Sequence, residues 1–481
     1  MTAGDATVPG ATSGPTFASI NPATGATVGQ APDCSAADMT AAVDSAAAAL
    51  PGWRRTPAAA RGRIIRRAGE LVLERAAGLA ALITAEQGKP LGEARFEVML
   101  AAEAMFWFAE EGRRAYGQTI PDPMPGRRLL TIKQPVGVVA AITPWNIPLL
   151  ALPRKAAAAA AAGCTVVLKP AEQTPLVALA FAGLLAEAGL PPGVVSVVTT
   201  ADPAAVAEVL LADARVRKLS FTGSTEVGQR LFAGCAGTVK NLTLELGGNA
   251  PAIIFADADP ELAVAELVAL KTQMAGQNCL APNRIYVQRE ALERVTETLT
   301  RRLASVRVGD GAEPGVTMGP LIDRQGLDKV ERHIADAVRA GARVLTGGAR
   351  LDSRPSGYFF PPTVLAGVPD NAIALAEETF GPVYPLLPFG TETEAIARAN
   401  DVTQGLAAYL FTGDLSRAVR VSEALEYGMV AVNSGKIAST EAPFGGVKAS
   451  GLGRESGHEG IEAYLETKTI ALGIGEAGDG P

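Results

Sequence analysis

The chain is poor in the residues that most often ligate metals or cross-link a fold. Its four cysteines, Cys34, Cys164, Cys235 and Cys279, lie far apart with no Cys-x-x-Cys pair. That spacing speaks against a disulfide framework or a zinc site and favours a reducing, cytoplasmic setting. Only two histidines are present, His333 and His458. A Ser-His-Asp mechanism or a histidine-ligated metal has little material here, and both histidines read as solvated or structural. No run of like charge is long enough for a binding tail, and the net charge of −7 argues against a nucleic-acid-binding surface. The most apolar region, 136–168, is broken by Pro144, Pro148, Pro153, Arg154 and Lys155. A membrane span needs about 20 uninterrupted apolar residues, so this region reads as buried core and no membrane partner is expected. Residues 1–17 lack a basic or apolar leader segment and read as a flexible tail.

What is present describes a soluble globular enzyme. Hydrophobic residues make up 48% and charged residues 19% of 481, a length that calls for two or three domains. Apolar residues recur every three or four positions through 36–116, which predicts helices. After a proline-glycine break at 121–128, short strand-like runs (129–132, 136–143, 165–168, 194–198 and 218–222) alternate with helical stretches such as 156–162 and 177–188. This alternation predicts βαβ units and a parallel, doubly wound sheet. The pattern restarts after Gly248, with strands expected at 252–255, 284–287 and 343–345 and helices at 258–274, 289–306 and 325–340. A second α/β unit is therefore expected, with Glu245 ending the first and Cys279 near the start of the second. A cleft between two such units is a common place for cofactor chemistry.

Four stretches carry chemical meaning. Cys279, in Gly276-Gln277-Asn278-Cys279, and Glu245, in Glu245-Leu246-Gly247-Gly248, suggest a nucleophile and the base that turns it over; an isolated cysteine would more often be a buried apolar residue. Thr143-Pro144-Trp145-Asn146 ends a strand, where an asparagine amide can face a developing oxyanion or simply shape a turn. Lys169, in Lys169-Pro170-Ala171-Glu172, sits at a strand's carboxyl end and faces the ligand crevice of an open α/β sheet. Glu172 can accept hydrogen bonds from a ribose diol and would repel a 2′-phosphate; a surface salt bridge between the two is the alternative. Phe221-Thr222-Gly223-Ser224 precedes a helical stretch, where small residues let backbone N–H groups approach a pyrophosphate.

Together with Glu378-Thr379-Phe380-Gly381-Pro382 and Pro443-Phe444-Gly445-Gly446, these motifs appear in the order of the aldehyde dehydrogenase superfamily, which the chain resembles from Asn21 to about Thr469. Within it, Ala407-Ala408-Tyr409, Ala424-Leu425-Glu426-Tyr427-Gly428 and Lys448-Ala449-Ser450-Gly451-Leu452-Gly453-Arg454-Glu455 resemble succinate-semialdehyde dehydrogenases. The resemblance implies an α/β aldehyde dehydrogenase fold with a Rossmann-type cofactor domain (1–117 and 139–247), a catalytic domain (248–446), and an oligomerisation element and tail (118–138 and 447–481). It implies a homodimer or homotetramer acting on a small-molecule aldehyde. The implied chemistry places Cys279 as nucleophile, Asn146 at the oxyanion, Glu245 as base and Lys169 at the cofactor. Thr143, Trp145, Glu172, Gly223, Ser224, Glu378 and Phe380 would complete the cofactor site. In related sequences a glutamate at Glu172 goes with NAD, so NAD is expected ahead of NADP.

The substrate side departs from the pattern. Arg154 matches one of two arginines that grip a substrate carboxylate in succinate-semialdehyde dehydrogenases. The other falls at Gln273, after Thr272, and a serine falls at Ala438. Ile147, where phenylalanine is common, and Asn278 would complete the substrate site. Losing a guanidinium and a hydroxyl removes about 2–4 kcal/mol of carboxylate recognition. Lys436 is a candidate replacement cation, with a solvent-facing role the alternative. A polar or anionic aldehyde other than succinate semialdehyde is therefore expected, with succinate semialdehyde itself as the second reading. The rivals are an acylating, coenzyme A-dependent enzyme, against which Glu245 argues, and a non-catalytic binding protein on the same fold.

Overall fold

The computed structural model describes residues 14–351 and 356–474. The tail expected at 1–17 lies outside the described residues up to 13. Thr16 and Phe17, however, belong to a strand, β1 (Thr16–Ile20), paired antiparallel with β2 (Thr27–Pro32). Four helices follow: α1 (Ala36–Trp53), α2 (Ala58–Glu74), α3 (Ala76–Gln87) and α4 (Leu91–Glu111). Helix α1 opens on a reciprocal cap, Ser35 and Asp38 each holding the other's backbone N–H. Next come β3 (Thr119–Ile120) and the long β4 (Arg127–Pro135).

The first large sheet is built from β5 (Val138–Ile142), β6 (Thr165–Lys169), β7 (Val195–Val197), β8 (Val216–Thr222) and β9 (Asn241–Glu245). Helices α5 (Ala151–Ala162), α6 (Pro175–Glu187) and α7 (Pro203–Ala212) connect them in turn, and α8 (Thr225–Cys235) follows β8. These five strands are parallel, in the order β9-β8-β5-β6-β7. Burial on both faces explains why β5 and β6 read as unbroken apolar runs. Helix α5 starts five residues before the expected 156, because Pro153 lies in its first turn, where no intrahelical N–H is required. The strand order reverses at β5, with β6 on one side and β8 on the other. Ligands of open α/β sheets bind at the carboxyl ends of strands beside such a reversal.

The second large sheet has seven strands: β10 (Pro251–Ile254), β11 (Arg284–Gln288), β12 (Arg343–Thr346), β13 (Thr363–Ala366), β14 (Val383–Phe389), β16 (Ala407–Phe411) and β17 (Met429–Val432); β15 (Gln404–Gly405) lies outside it. Helices α9 (Pro260–Thr272), α10 (Leu292–Leu303), α11 (Arg324–Arg339), α12 (Ile373–Ala376), α13 (Glu392–Asn400) and α14 (Leu415–Ala424) surround it. The order is β12-β13-β14-β11-β10-β16-β17, parallel except for β12. The chain then adds β18 (Val447–Lys448), paired with β15, and β19 (Gly451–Leu452), which returns to the β9 edge of the first sheet. Helix α15 (Gly457–Glu462) leads into β20 (Leu465–Gly473), which runs antiparallel along all of β4. Among the described residues no helix is long and apolar enough to cross a membrane.

Candidate active site

The carboxyl ends of the first sheet deliver the motif residues to one place. Thr143 to Asn146 follow β5, Lys169 ends β6, Gly223 and Ser224 follow β8, and Glu245 ends β9. From the second half of the chain, Cys279 and the segment Glu378-Thr379-Phe380 face them. The result is a cavity of about 350 Å³ whose lining includes Trp145, Asn146, Ile147, Arg154, Gly223, Ser224, Glu245, Cys279, Glu378 and Phe380. Thr143, Lys169, Glu172, Gln273, Asn278, Lys436 and Ala438 are not part of that lining. Lys436 and Ala438 are exposed, and the Lys436 backbone N–H is held by the Ser434 hydroxyl at 3.0 Å. The solvent-facing alternative describes this lysine.

Cys279 is the one cysteine of the four that is not fully buried. Burial and the carboxylates of Glu245 and Glu378 push its thiol well above the usual range. It rests as a thiol until a neighbouring base takes its proton. Glu245 lies beside it: its carboxyl is pushed up to about 8 by burial and by Glu455, with Cys279, Lys155 and Arg154 acting in the opposite direction. Its Oε1 has no hydrogen-bond partner among the described residues. An unpaired, buried oxygen on a group titrating near neutrality is suited to general-base work. Asn146 donates one amide N–H to the Gln277 carbonyl at 3.0 Å. This bond ties the loop after β5 to the Cys279 loop and leaves the second amide N–H without a partner among the described residues.

The backbone before Cys279 departs from the sequence expectation. The helix expected through 274 ends at Thr272, because the chain turns sharply: Gln273 is extended, and Met274, Ala275 and Gly276 have φ of 50°, 55° and 77°. Left-handed geometry at two non-glycine residues costs on the order of 1–3 kcal/mol each. At Gly276 a Cβ would collide with the Gly381 carbonyl, so neither the turn nor the packing admits another residue there.

On the other wall, the rings of Trp145 and Phe380 meet edge to face at 5.5 Å. Phe380 has a φ of 52°, a conformation that aims it into the cavity. Glu378 accepts the Gly248 N–H at 3.2 Å and is pushed up to about 7 by burial. A Cβ at Gly247 would lie 2.7 Å from that carboxylate, so glycine permits the approach. Lys169 and Glu172 are ion-paired at 2.6 Å, with the lysine buried. Gln173, beside them, lines the cavity with a buried Oε1 that has no partner among the described residues, and the same holds for Thr143 Oγ1. Orphaned polar atoms, the glycine turn after β8 and the N-terminus of α8 together fit a dinucleotide at this edge. Among the described residues no group of three or more His, Cys, Asp and Glu is arranged to hold a metal ion.

Several participants escaped the sequence reading. Glu455 lines the cavity and pairs with buried Lys155, which also reaches Ser220 Oγ at 3.1 Å. Lys329 lines the Glu378 side, its amine shifted downward by burial. Arg154 stacks 4.8 Å from the Phe444 ring centre. Glu455 lay within a motif quoted only for resemblance, and Lys329 follows helical spacing from Gln325 and Gly326; neither carries a local chemical signature. Neither histidine lines the cavity. His333 is buried between Thr379 and Glu377, its ring pushed down to about 4 by burial, and His458 contacts Glu111 at 2.9 Å.

Comparison with known proteins agrees with this geometry. Residues 9–470 match the model of the aldehyde dehydrogenase family. The chain is 52% identical to the succinate-semialdehyde dehydrogenase [NADP(+)] GabD of Escherichia coli (strain K12), over 94% of each chain. It is 50% identical to the 3-sulfolactaldehyde dehydrogenase of Pseudomonas putida, over 96% of this chain and 95% of that one. The crystal structure of an aldehyde dehydrogenase from Brucella melitensis biovar abortus 2308 superposes with a TM-score of 0.95 at 50% identity, covering 97% of this chain and 95% of that one. With a thiol, a carboxyl and an amide converging at the strand ends, and with these matches spanning nearly all its length, the chain belongs to the aldehyde dehydrogenase family.

Proposed function

We propose that this protein oxidises an aldehyde with an anionic tail to the carboxylic acid, using NAD in preference to NADP. The observation that carries the reading is the convergence of Cys279, Glu245 and Asn146 on one cavity. Glu245 takes the thiol proton, and the Cys279 sulfur bonds to the aldehyde carbon. The resulting oxyanion is held by the free Asn146 amide N–H. When bound, a nicotinamide dinucleotide supplies a hydride acceptor; Lys169, Ser224, Glu378 and Phe380 would hold it. Loss of hydride turns the Cys279 adduct into a thioester. Glu245 then removes a proton from water, which attacks the thioester carbon and releases the acid with the thiol restored. The buried Lys155–Glu455 pair stands beside Glu245 as the next acceptor for its proton. A panel of carboxylate-, sulfonate- and neutral-tailed aldehydes, scored by NADH formation with and without coenzyme A, tests the reading. An obligatory coenzyme A requirement, or no turnover with any aldehyde, would refute it. If succinate semialdehyde is best by a wide margin in kcat/KM, the second reading of the sequence stands instead.

Arg154 is the arginine of the cavity lining and the natural partner for the anionic tail. Arg154→Gln is expected to lower kcat/KM for anionic aldehydes by about 10- to 100-fold, the worth of one charge-assisted hydrogen bond. A neutral aldehyde of the same length should lose much less, and equal losses on both would refute the role.

NAD preference is supported by the Glu172 carboxylate, which occupies Lys169 and would face a 2′-phosphate with like charge. Glu172→Ser leaves the Lys169 ammonium unpaired. The ratio of kcat/KM for NAD over NADP should fall by about tenfold or more; an unchanged ratio sinks the assignment. The outer strand β20, paired with β4 along one edge, supports a homodimer or homotetramer through strand-edge pairing. Sedimentation should find no monomer at micromolar concentration.

A further inference from the structure

Helix α4 and the turn before it grip both catalytic loops from behind. Lys89 Nζ donates to the Asn146 carbonyl at 2.7 Å and is ion-paired with buried Glu97. Glu97 Oε1 in turn accepts the N–H groups of Leu149 and Leu150 at 2.8 and 3.1 Å. One helical turn earlier, Glu93 accepts the N–H of Met274 at 3.0 Å. Met274 is the first residue of the left-handed turn that leads to Cys279. The circuit closes across the cavity: the Gln277 side chain donates to the Met274 carbonyl at 2.7 Å, and Asn146 donates to the Gln277 carbonyl. Two loops more than 120 residues apart are thus fastened to each other and to one helix face.

We infer that Glu93 is a positioning residue for catalysis: by holding the Met274 N–H it maintains the left-handed turn that keeps the Cys279 sulfur in register with the Asn146 amide. The strain at Met274 and Ala275 supports this. Left-handed non-glycine residues persist only where their surroundings impose them, and Glu93 is the side chain that accepts the first N–H of the turn. Without that acceptor the turn relaxes toward the ordinary helical region, continuing α9 and moving the thiol. The inference rests on Cys279 as nucleophile, and Cys279→Ala separates the two: activity surviving in Cys279→Ala overturns the proposed function itself.

The test compares Glu93→Ala, Glu93→Asp and Glu93→Gln, each normalised to folded protein by circular dichroism and gel filtration. Glu93→Ala should lower kcat by about 10- to 100-fold, since displacing a reacting group by about 1 Å costs that much. The KM for the dinucleotide should stay within about twofold, because Glu93 holds the Cys279 loop and no residue proposed to bind the dinucleotide. Glu93→Asp, one methylene short, should resemble Glu93→Ala. Glu93→Gln keeps an acceptor oxygen at the same reach and should restore kcat to within about threefold of wild type. Rates of Cys279 alkylation by iodoacetamide should follow the same order. A wild-type kcat per folded chain in Glu93→Ala or Glu93→Asp overturns the inference. So does a Glu93→Gln enzyme as impaired as Glu93→Ala, which would assign the effect to charge.

Discussion

Replacing Cys279 with alanine is expected to lower aldehyde-dependent NADH formation by on the order of 10⁴-fold or more. The route to a thioester needs sulfur's electron pair, and among the cavity-lining residues Cys279 alone carries a thiol. The remaining cysteines, Cys34, Cys164 and Cys235, are fully buried in the apolar cores, where burial also raises their thiols. Cofactor affinity, followed by quenching of tryptophan fluorescence, should be almost unchanged, because the residues proposed to hold the dinucleotide are untouched. Alkylation of the native protein should label one thiol per chain in the wild type and none in the variant. Residual activity within tenfold of wild type would mean that sulfur is not the nucleophile.

Changing Glu245 to glutamine should slow both halves of the reaction, since Glu245 serves the Cys279 proton and the attacking water alike. Rapid mixing should give a slowed first NADH, no more than about one per active site, followed by turnover slowed about 10²- to 10⁴-fold for want of a general base. In the wild type the base form of Glu245 is needed. Its carboxyl is pushed up to about 8 by burial and Glu455, so the steady-state rate should rise with pH through about 8 and level off above it. The sign follows from the direction of the shift: below 8 the carboxyl is protonated and cannot accept from water. That rising limb should vanish in Glu245→Gln. Unchanged steady-state turnover in the variant, or a wild-type rate that is flat from pH 6.5 to 9, would exclude Glu245 as the base.

Local pattern made a good part of the molecule legible. Alternating apolar runs and helical periods located α1 to α4, α6 and the strands β5 to β8, and glycines 88 and 163, left-handed at the ends of α3 and α5, stop those helices. The strands β13, β14, β16 and β17 were not anticipated. In β14 the reason is plain: Pro385 and Pro388 sit in an interior strand of the second sheet, where a proline ordinarily argues against strand. Of the N-terminal hairpin, only Thr16 and Phe17 fell within the stretch expected as a tail.

The motifs alone set the order and chemical identity of the reacting groups, since a thiol, a carboxylate and an amide carry their chemistry wherever the chain puts them. Sequence by itself therefore determined the family and the candidate nucleophile, base and oxyanion donor. Tertiary structure decided how those groups are tuned and held. Glu455 raises the Glu245 carboxyl from 210 positions away in sequence, and Glu93 reaches Met274 across 181. It also leaves Lys436 exposed and outside the cavity lining. The physical reason is common to all three. Burial and charge–charge coupling depend on distance in space, and the buried polar contacts that stabilise a strained turn leave no periodic trace along the chain.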